Sequence, residues 1–448
     1  MTQEYLQQRF LSSRLCKLLS KYIPVERIFS GMFWTSVGNV ASSFATFASS
    51  LLLAKILGVF NFGQFSLIQG TLAVFMLMAS PSLGFLATKY IAEHKHLNPR
   101  RAAAVLKLTN ISALILSALM AVTLLLITPY LAEHIMRTPE LRPELYLSAG
   151  ILLFTGVNGA QLGALAGFEA FKEVALINIF KGLFTLILVS LGGYYGGIRG
   201  AIAGLATVSL LVCVFSNYYV AKLTAKHNLP DISRMDLTTE MGLLFSFSLP
   251  NWLFSVIGAL VNVWTYIMLT RIPEGFAQMG IFNAANQFFL MLNFLPMIIW
   301  QVSFPVLSGV AGKNDFPKLL RSYRKLIAIN IVVIAGGFCL MAPVANILMS
   351  KLGKDFSGQL PTLLLMLATT LFYSLSAVAW QIMIVLERMW TSLWLSLTTS
   401  LLYVGIFFIF QDQGAYGLAL AKLISYIVYT IIGMTCIEAI LAKKIKTA

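Results

Sequence analysis

Two stretches decide how this chain is read: LAKILGVFNFGQFSL at residues 53–67 and LTRIPEGFAQMGIFNA at residues 269–284. Each closes one long apolar run and opens the next, with a basic residue near the join (Lys55, Arg271) and a glycine further on (Gly63, Gly280). Working outward, Pro81 is matched by Pro296, Pro129 by Pro343, and GAIAGLA at 200 loosely by GAYGLALA at 414, all at an offset of about 215 residues. Shared order and spacing of this kind point to an internal duplication, a common origin of transporter folds.

The composition says what is duplicated. The chain has 448 residues, 58% hydrophobic and 11% charged, against roughly 25% charged for soluble domains. Twelve apolar runs, the first near 32–54 and the last near 414–438, are long enough for helical spans of about 20 residues. Spans of a β-barrel would be about ten residues with alternating polarity. The expected fold is therefore an all-α polytopic membrane protein: 12 transmembrane helices in two six-helix lobes related by a parallel repeat. Its expected parts are a cationic amphipathic segment at 1–31, lobes at 32–221 and 242–440, a charged linker at 222–241 and a basic tail at 441–448.

Charge orients the bundle. Counted by loop, 23 Lys and Arg fall on the side of the termini and seven on the other, so both termini are expected in the cytoplasm. Much of the net +15 is thus a topology signal, which removes the argument for a nucleic-acid partner. Cys16, Cys213, Cys339 and Cys436 are scattered singly, and the four histidines lie between spans. Neither pattern supports disulfides, a metal site or a catalytic triad.

The first span carries Ser36, Asn39, Ser43, Thr46 and Ser50 on one helical stripe, and the seventh carries Ser248, Asn251, Ser255, Gly258, Asn262 and Thr265 in the same progression. Asn283, Asn286, Gln287 and Asn293 follow in the eighth span, with Gln69 of the second roughly matching Asn286. Amides cannot face lipid unpaired; small polar residues also cement helix pairs, but amides on equivalent helices of both lobes favour a hydrated central cavity. All seventeen acidic residues fall in loops or at span ends, whereas Lys181 and Lys422 lie inside spans. Snorkelling of these two lysines is the competing reading. A cavity with amides and cations but no acids suits an anionic cargo. The candidate cavity residues are Asn39, Lys55, Gln69, Lys181, Asn251, Asn262, Arg271, Asn286 and Lys422; no catalytic residue, metal or cofactor is expected.

LAKILGVFNFGQFSL, followed by SLGFLATKYIAEHK at 82–95 and GALAGFEAF at 163–171, resembles the polysaccharide and O-antigen flippases of the Wzx type, in the multidrug/oligosaccharidyl-lipid/polysaccharide exporter superfamily. The resemblance implies a MATE-like pair of lobes in the bacterial inner membrane that moves an undecaprenyl-pyrophosphate-linked oligosaccharide between leaflets by alternating access. It also implies membrane lipid around the polyprenyl tail, a proton or other coupling ion, and polysaccharide polymerase partners. Two rivals remain open: a cation-coupled multidrug exporter of the same superfamily, which usually keeps an embedded carboxylate, and a membrane glycosyltransferase or polymerase, which needs positioned acid/base residues. An enzyme is not expected.

Overall fold

The computed structural model describes residues 25–79, 83–95, 97–230, 249–312, 315–386 and 388–447. Residues 1–24 of the amphipathic segment expected at 1–31, most of the linker and Pro81 lie outside the described residues. Among those described, nine helices are long and apolar enough to cross a membrane, and Gly258–Thr270 is a shorter apolar helix. Two of the nine hold two spans each, because non-helical backbone at Gly58 divides Phe33–Ala79 and at Gly196 and Gly197 divides Phe171–Lys226. Twelve spans result, and the described residues contain no strand.

Span 1 ends at Gly58, whose φ of 73° and ψ of 170° suit glycine because an L side chain there is strained. Span 2 runs over 59–79 and continues as Leu83–His94. Spans 3 and 4 are Pro99–Tyr130 and Arg142–Gly167, and span 5 is Phe171–Phe184 with a π-helical turn, Thr185–Val189, and residues 190–196. Span 6 is 197–226. The second lobe follows as span 7 (Leu249–Thr270), span 8 (Gly275–Leu292 and Phe294–Gly312), span 9 (Phe316–Leu352), span 10 (Leu360–Val385), span 11 (Met389–Ile409) and span 12 (Gly414–Thr447). Span 8 breaks at Asn293, three residues before Pro296, where proline cannot supply the backbone donor the preceding turn needs.

At the turns before spans 6 and 12 and at the contact between the lobes, the repeat has a spacing of 217 residues. Gly197 (φ 57°, ψ −141°) and Gly414 (φ 58°, ψ −128°) are equivalent left-handed turns before spans 6 and 12. That shifts the GAIAGLA and GAYGLALA register by three residues, because the turn and not the small-residue run anchors the alignment.

The lobes meet where span 2 crosses span 8. A Cβ on Gly63 would lie 1.8 Å from the Phe276 carbonyl oxygen, and one on Gly280 would lie 2.1 Å from that of Val59. Val59 and Phe276 are themselves 217 apart, so the crossing is a reciprocal contact about the pseudo-two-fold axis. Close to that axis the equivalent residues Ser66 and Asn283 touch, the amide donating to the hydroxyl. Here a hydrogen bond and backbone-close packing hold two helices together, as membranes require in place of the hydrophobic effect. The largest core cluster is continuous across the contact, from Leu53 and Phe62 through Phe282 and Phe288 to Leu363 and Leu418. The crossing lies toward the end of the bundle where spans 1 and 2 turn, opposite the termini.

Charged side chains collect at the two ends. Lys95, buried, pairs with Glu169 at 2.7 Å beside the inner ends of spans 2 and 4, and Arg199 reaches buried Glu144 at 3.2 Å at the other end. Arg324 pairs with Glu438 at 3.2 Å in the second lobe.

Paired cysteines at Ser66 and Asn283, in a background without the native cysteines, are expected to crosslink rapidly in membranes. Adding Gly63→Val is expected to cut the yield by half or more, read by gel shift.

Candidate functional site

On the side of the crossing that faces the termini, the two lobes enclose chambers related by the same 217-residue operation. The first, of about 420 Å³, lies among spans 1, 2, 5 and 8. Ser42, Ser43, Thr46, Ser49 and Ser50 of span 1 line it with Gln69, Lys181, Thr185 and Gln287. The second, of about 330 Å³, has Ala259, Val263 and Tyr266 of span 7, Asn286 of span 8, Lys422 of span 12, and Gly70 and Ala73 of span 2. Adding 217 carries Ser42, Thr46, Ser49, Gln69 and Leu205 of the first chamber onto Ala259, Val263, Tyr266, Asn286 and Lys422 of the second. The same shift relates Gly70 and Ala73 to Gln287 and Leu290. Leu290 lines both, so the chambers abut.

Their chemistry differs. The first is a hydroxyl and amide surface with one ammonium, that of Lys181 on span 5. The second is aromatic, and its ammonium, that of Lys422 on span 12, stands where the first lobe has Leu205. No Asp or Glu among the described residues lines either chamber.

Local structure sets each lysine. Immediately after Lys181, span 5 loosens into the π-helical turn Thr185–Val189, a feature often found at functional sites. The Thr185 hydroxyl donates to the Lys181 carbonyl at 2.7 Å, and Ser49 donates across from span 1 to the Thr185 carbonyl at 3.2 Å. The Lys181 side chain is exposed to the chamber. Lys422 is 9% exposed. It donates to Asn286 Oδ1 at 3.1 Å and stands 4.4 Å from the centre of the Phe289 ring and 5.7 Å from that of Phe282. Aromatic faces and one amide oxygen stabilise a cation without neutralising it. Beyond it, a pocket of about 130 Å³ is lined by Lys422, Asn262, Ser396, Thr399 and the phenols Tyr403, Tyr426 and Tyr429.

Of the residues expected from sequence, Gln69, Lys181, Asn262, Asn286 and Lys422 therefore line these spaces. Asn262 also donates to the Gly258 carbonyl at 2.9 Å. Asn39 accepts from Asn178 Nδ2 at 3.1 Å and joins span 1 to span 5. Lys55 is exposed at the far end of span 1 and borders neither chamber. Arg271 is exposed at the same end and donates to the Ile135 carbonyl at 3.3 Å, linking the second lobe to the first. The side chain of Asn251 lies outside the described residues. Snorkelling accounts for neither inner lysine, since both point into the protein.

Sequence reasoning passed over the phenols and a further pocket among spans 8, 9 and 10. The dipeptide Trp-Gln, present at 300–301 and again at 380–381 inside apolar runs, was the available signal for the latter.

Residues 28–310 match the profile of the family described as polysaccharide biosynthesis protein. The chain belongs to this polysaccharide biosynthesis family. Among its relatives, the EPS I polysaccharide export inner membrane protein EpsE of Ralstonia solanacearum is 26% identical over 285 residues, 62% of this chain and 62% of that protein. The matched region thus spans about three fifths of the relative's length. Among solved structures, the inward-facing conformation of a multidrug resistance MATE family transporter of the MOP superfamily superposes with a TM-score of 0.76 at 16% identity, covering 91% of this chain and 96% of that one. The outward-facing conformation of a MATE family transporter superposes with a TM-score of 0.65 at 16% identity, covering 92% and 96%. This member of the polysaccharide biosynthesis family therefore shares the two-lobed fold of those structures.

Burial without a counter-ion predicts the stability of the Lys422 site. Lys422→Met is expected to leave the unfolding temperature in detergent unchanged or higher, since a buried charge is rarely stabilising. Asn286→Leu is expected to lower stability by roughly 1–3 kcal/mol, because the ammonium then loses its amide acceptor.

Proposed function

We propose that this protein is a flippase of the bacterial inner membrane, translocating an undecaprenyl-pyrophosphate-linked oligosaccharide by alternating access of its two lobes. The observation that carries the reading is the pair of abutting chambers, each holding one ammonium and no carboxylate among the described residues. A diphosphate entering them exchanges hydration for charge-assisted hydrogen bonds from Lys181 and Lys422, while the span 1 hydroxyls and Gln69 supply neutral donors. A cationic drug would meet two like charges there instead, which disfavours the multidrug reading. Among the described residues no acid/base pair lines these chambers, which disfavours sugar transfer.

A lipid-linked cargo also needs somewhere for its tail. An apolar groove of about 540 Å³ lies between span 1 of the first lobe and spans 8 and 9 of the second, walled by Phe44, Leu295, Leu340 and Val344. It shares Ser43, Phe47 and Met291 with the first chamber. A headgroup on Lys181 therefore leaves its hydrocarbon in this seam, in contact with membrane lipid.

The closed crossing of spans 2 and 8 makes this the state open toward the termini. With the basic loops on that side, the termini are cytoplasmic and the cargo enters from the cytoplasmic leaflet. A coupling ion and a polymerase receiving the product belong to the reading, and no residue is assigned to either.

Lys181→Ala and Lys422→Ala are each expected to cut surface polysaccharide roughly tenfold or more, the loss of one hydrogen bond to a charged group being about 1.5–3 kcal/mol. Lys181→Arg is expected to keep most of it. Polymer measured in the natural host, with lipid-linked intermediate accumulating in its membranes, is the readout; wild-type polymer from the double alanine variant would overturn the reading.

A further inference from the structure

The pocket among spans 8, 9 and 10 has a use that the chambers leave open. It encloses about 310 Å³, at the low end of ligand pockets of roughly 300–1,000 Å³. Its lining includes two indoles, Trp300 and Trp380, and Phe304, outside the lining, stacks on Trp300. Trp300 lies 5.4 Å from Phe304 and 6.2 Å from Trp380, centre to centre, with interplanar angles of 20° and 18°. The same pocket carries polar groups. Gln381, fully buried, donates from Nε2 to Ser303 Oγ at 3.0 Å and to the Trp300 carbonyl at 3.2 Å, which locks the ring row to span 10. Asn330 of span 9 is 1% exposed and lines the pocket. Its Nδ2 donates to the Leu326 carbonyl at 2.9 Å, while its Oδ1 is buried with no hydrogen-bond partner. A buried amide oxygen left unsatisfied calls for an explanation, and a donor arriving with a ligand supplies one.

Indole rings and buried amides in one pocket match one chemical class. A pyranose ring presents a face of C–H groups, which the negative face of an indole attracts, and a rim of hydroxyls, which are donors for an amide oxygen. A hydrocarbon tail would satisfy the rings but leave Asn330 Oδ1 unpaired, and a phosphate would find no cation in the lining. The pocket also adjoins the second chamber, since Tyr373 lines both.

We propose that the Trp300–Trp380 pocket is a carbohydrate subsite, holding one sugar ring of the oligosaccharide whose diphosphate lies in the chambers. The inference rests on the flippase reading and deepens it. Tyr373 is the wall shared by this pocket and the chamber that holds Lys422, so the diphosphate and the glycan occupy neighbouring compartments. Ring stacking selects the sugar's face, and Asn330 selects a hydroxyl or N-acetyl donor on its rim.

The test uses the full chain in its natural host during polysaccharide synthesis. A photo-crosslinking residue is placed at Ala377 in the pocket wall and, separately, at Ser43 in the first chamber. The expected result is an adduct at Ala377 that stains for glycan after mild acid removes the polyprenyl phosphate. A glycan-bearing adduct at Ser43 with none at Ala377, or only phospholipid at Ala377, overturns the subsite and leaves the flippase reading intact. Glycan at neither position counts against both. Export by variants gives a second readout. Trp380→Leu is expected to lower surface polymer at least tenfold with normal membrane levels and gel-filtration profile, and Trp380→Phe to restore at least half; equal loss in both variants, or none in either, also overturns the subsite.

Discussion

Two glycines, Gly63 and Gly280, let the backbones of spans 2 and 8 touch, and much of the molecule's shape follows from that contact. Each glycine faces a carbonyl of the other helix closely enough that any side chain would force them apart. Lipid gives no hydrophobic push toward association, so such contacts and the Ser66–Asn283 hydrogen bond do the holding. Pinned at one end, helices bearing larger side chains elsewhere must diverge toward the other. The chambers occupy that divergence. Their existence is therefore tied to the crossing, as is the side from which they open.

Duplication explains why there are two chambers, and divergence after duplication explains why they differ. The 217-residue operation maps their walls onto each other while exchanging serines for alanine and tyrosine, and Leu205 for Lys422. Each chamber carries one ammonium, but on helices that are not equivalents, span 5 and span 12. The first is loosely held beside a π-helical turn; the second is enclosed by rings and an amide. The two abutting chambers thus offer different environments, with hydroxyls on one side and an aromatic surface on the other.

Twelve apolar runs, a parallel repeat and the polar stripes on spans 1 and 7 were legible because they are periodic and because lipid forbids the alternatives. Gln69, Asn286, Lys181 and Lys422 were legible for the same reason: such residues inside a span need protein or water. Lys55 and Arg271 were chosen by proximity to cavity-candidate helices, yet they sit at the pinned end, where the route is closed. Arg271 bonds the opposite lobe there. The phenols around Lys422 and the Trp300–Trp380 pair were missed, since aromatic residues are ordinary in apolar runs and come together only when separate helices bring them side by side.

By itself, the sequence determined the membrane, the number of spans, the doubling and the absence of mid-span acids, because each is a property of local composition or of spacing along one chain. It also determined which polar side chains could not face lipid. The tertiary structure alone decided which of these meet across the lobes, which end is closed, and that the lysines from spans 5 and 12 project into abutting chambers. The reason is geometric. A helix fixes the phase of its own residues, but the partner presented to each face depends on crossings set by backbone contacts such as Gly63 with Phe276, hundreds of residues apart in the chain.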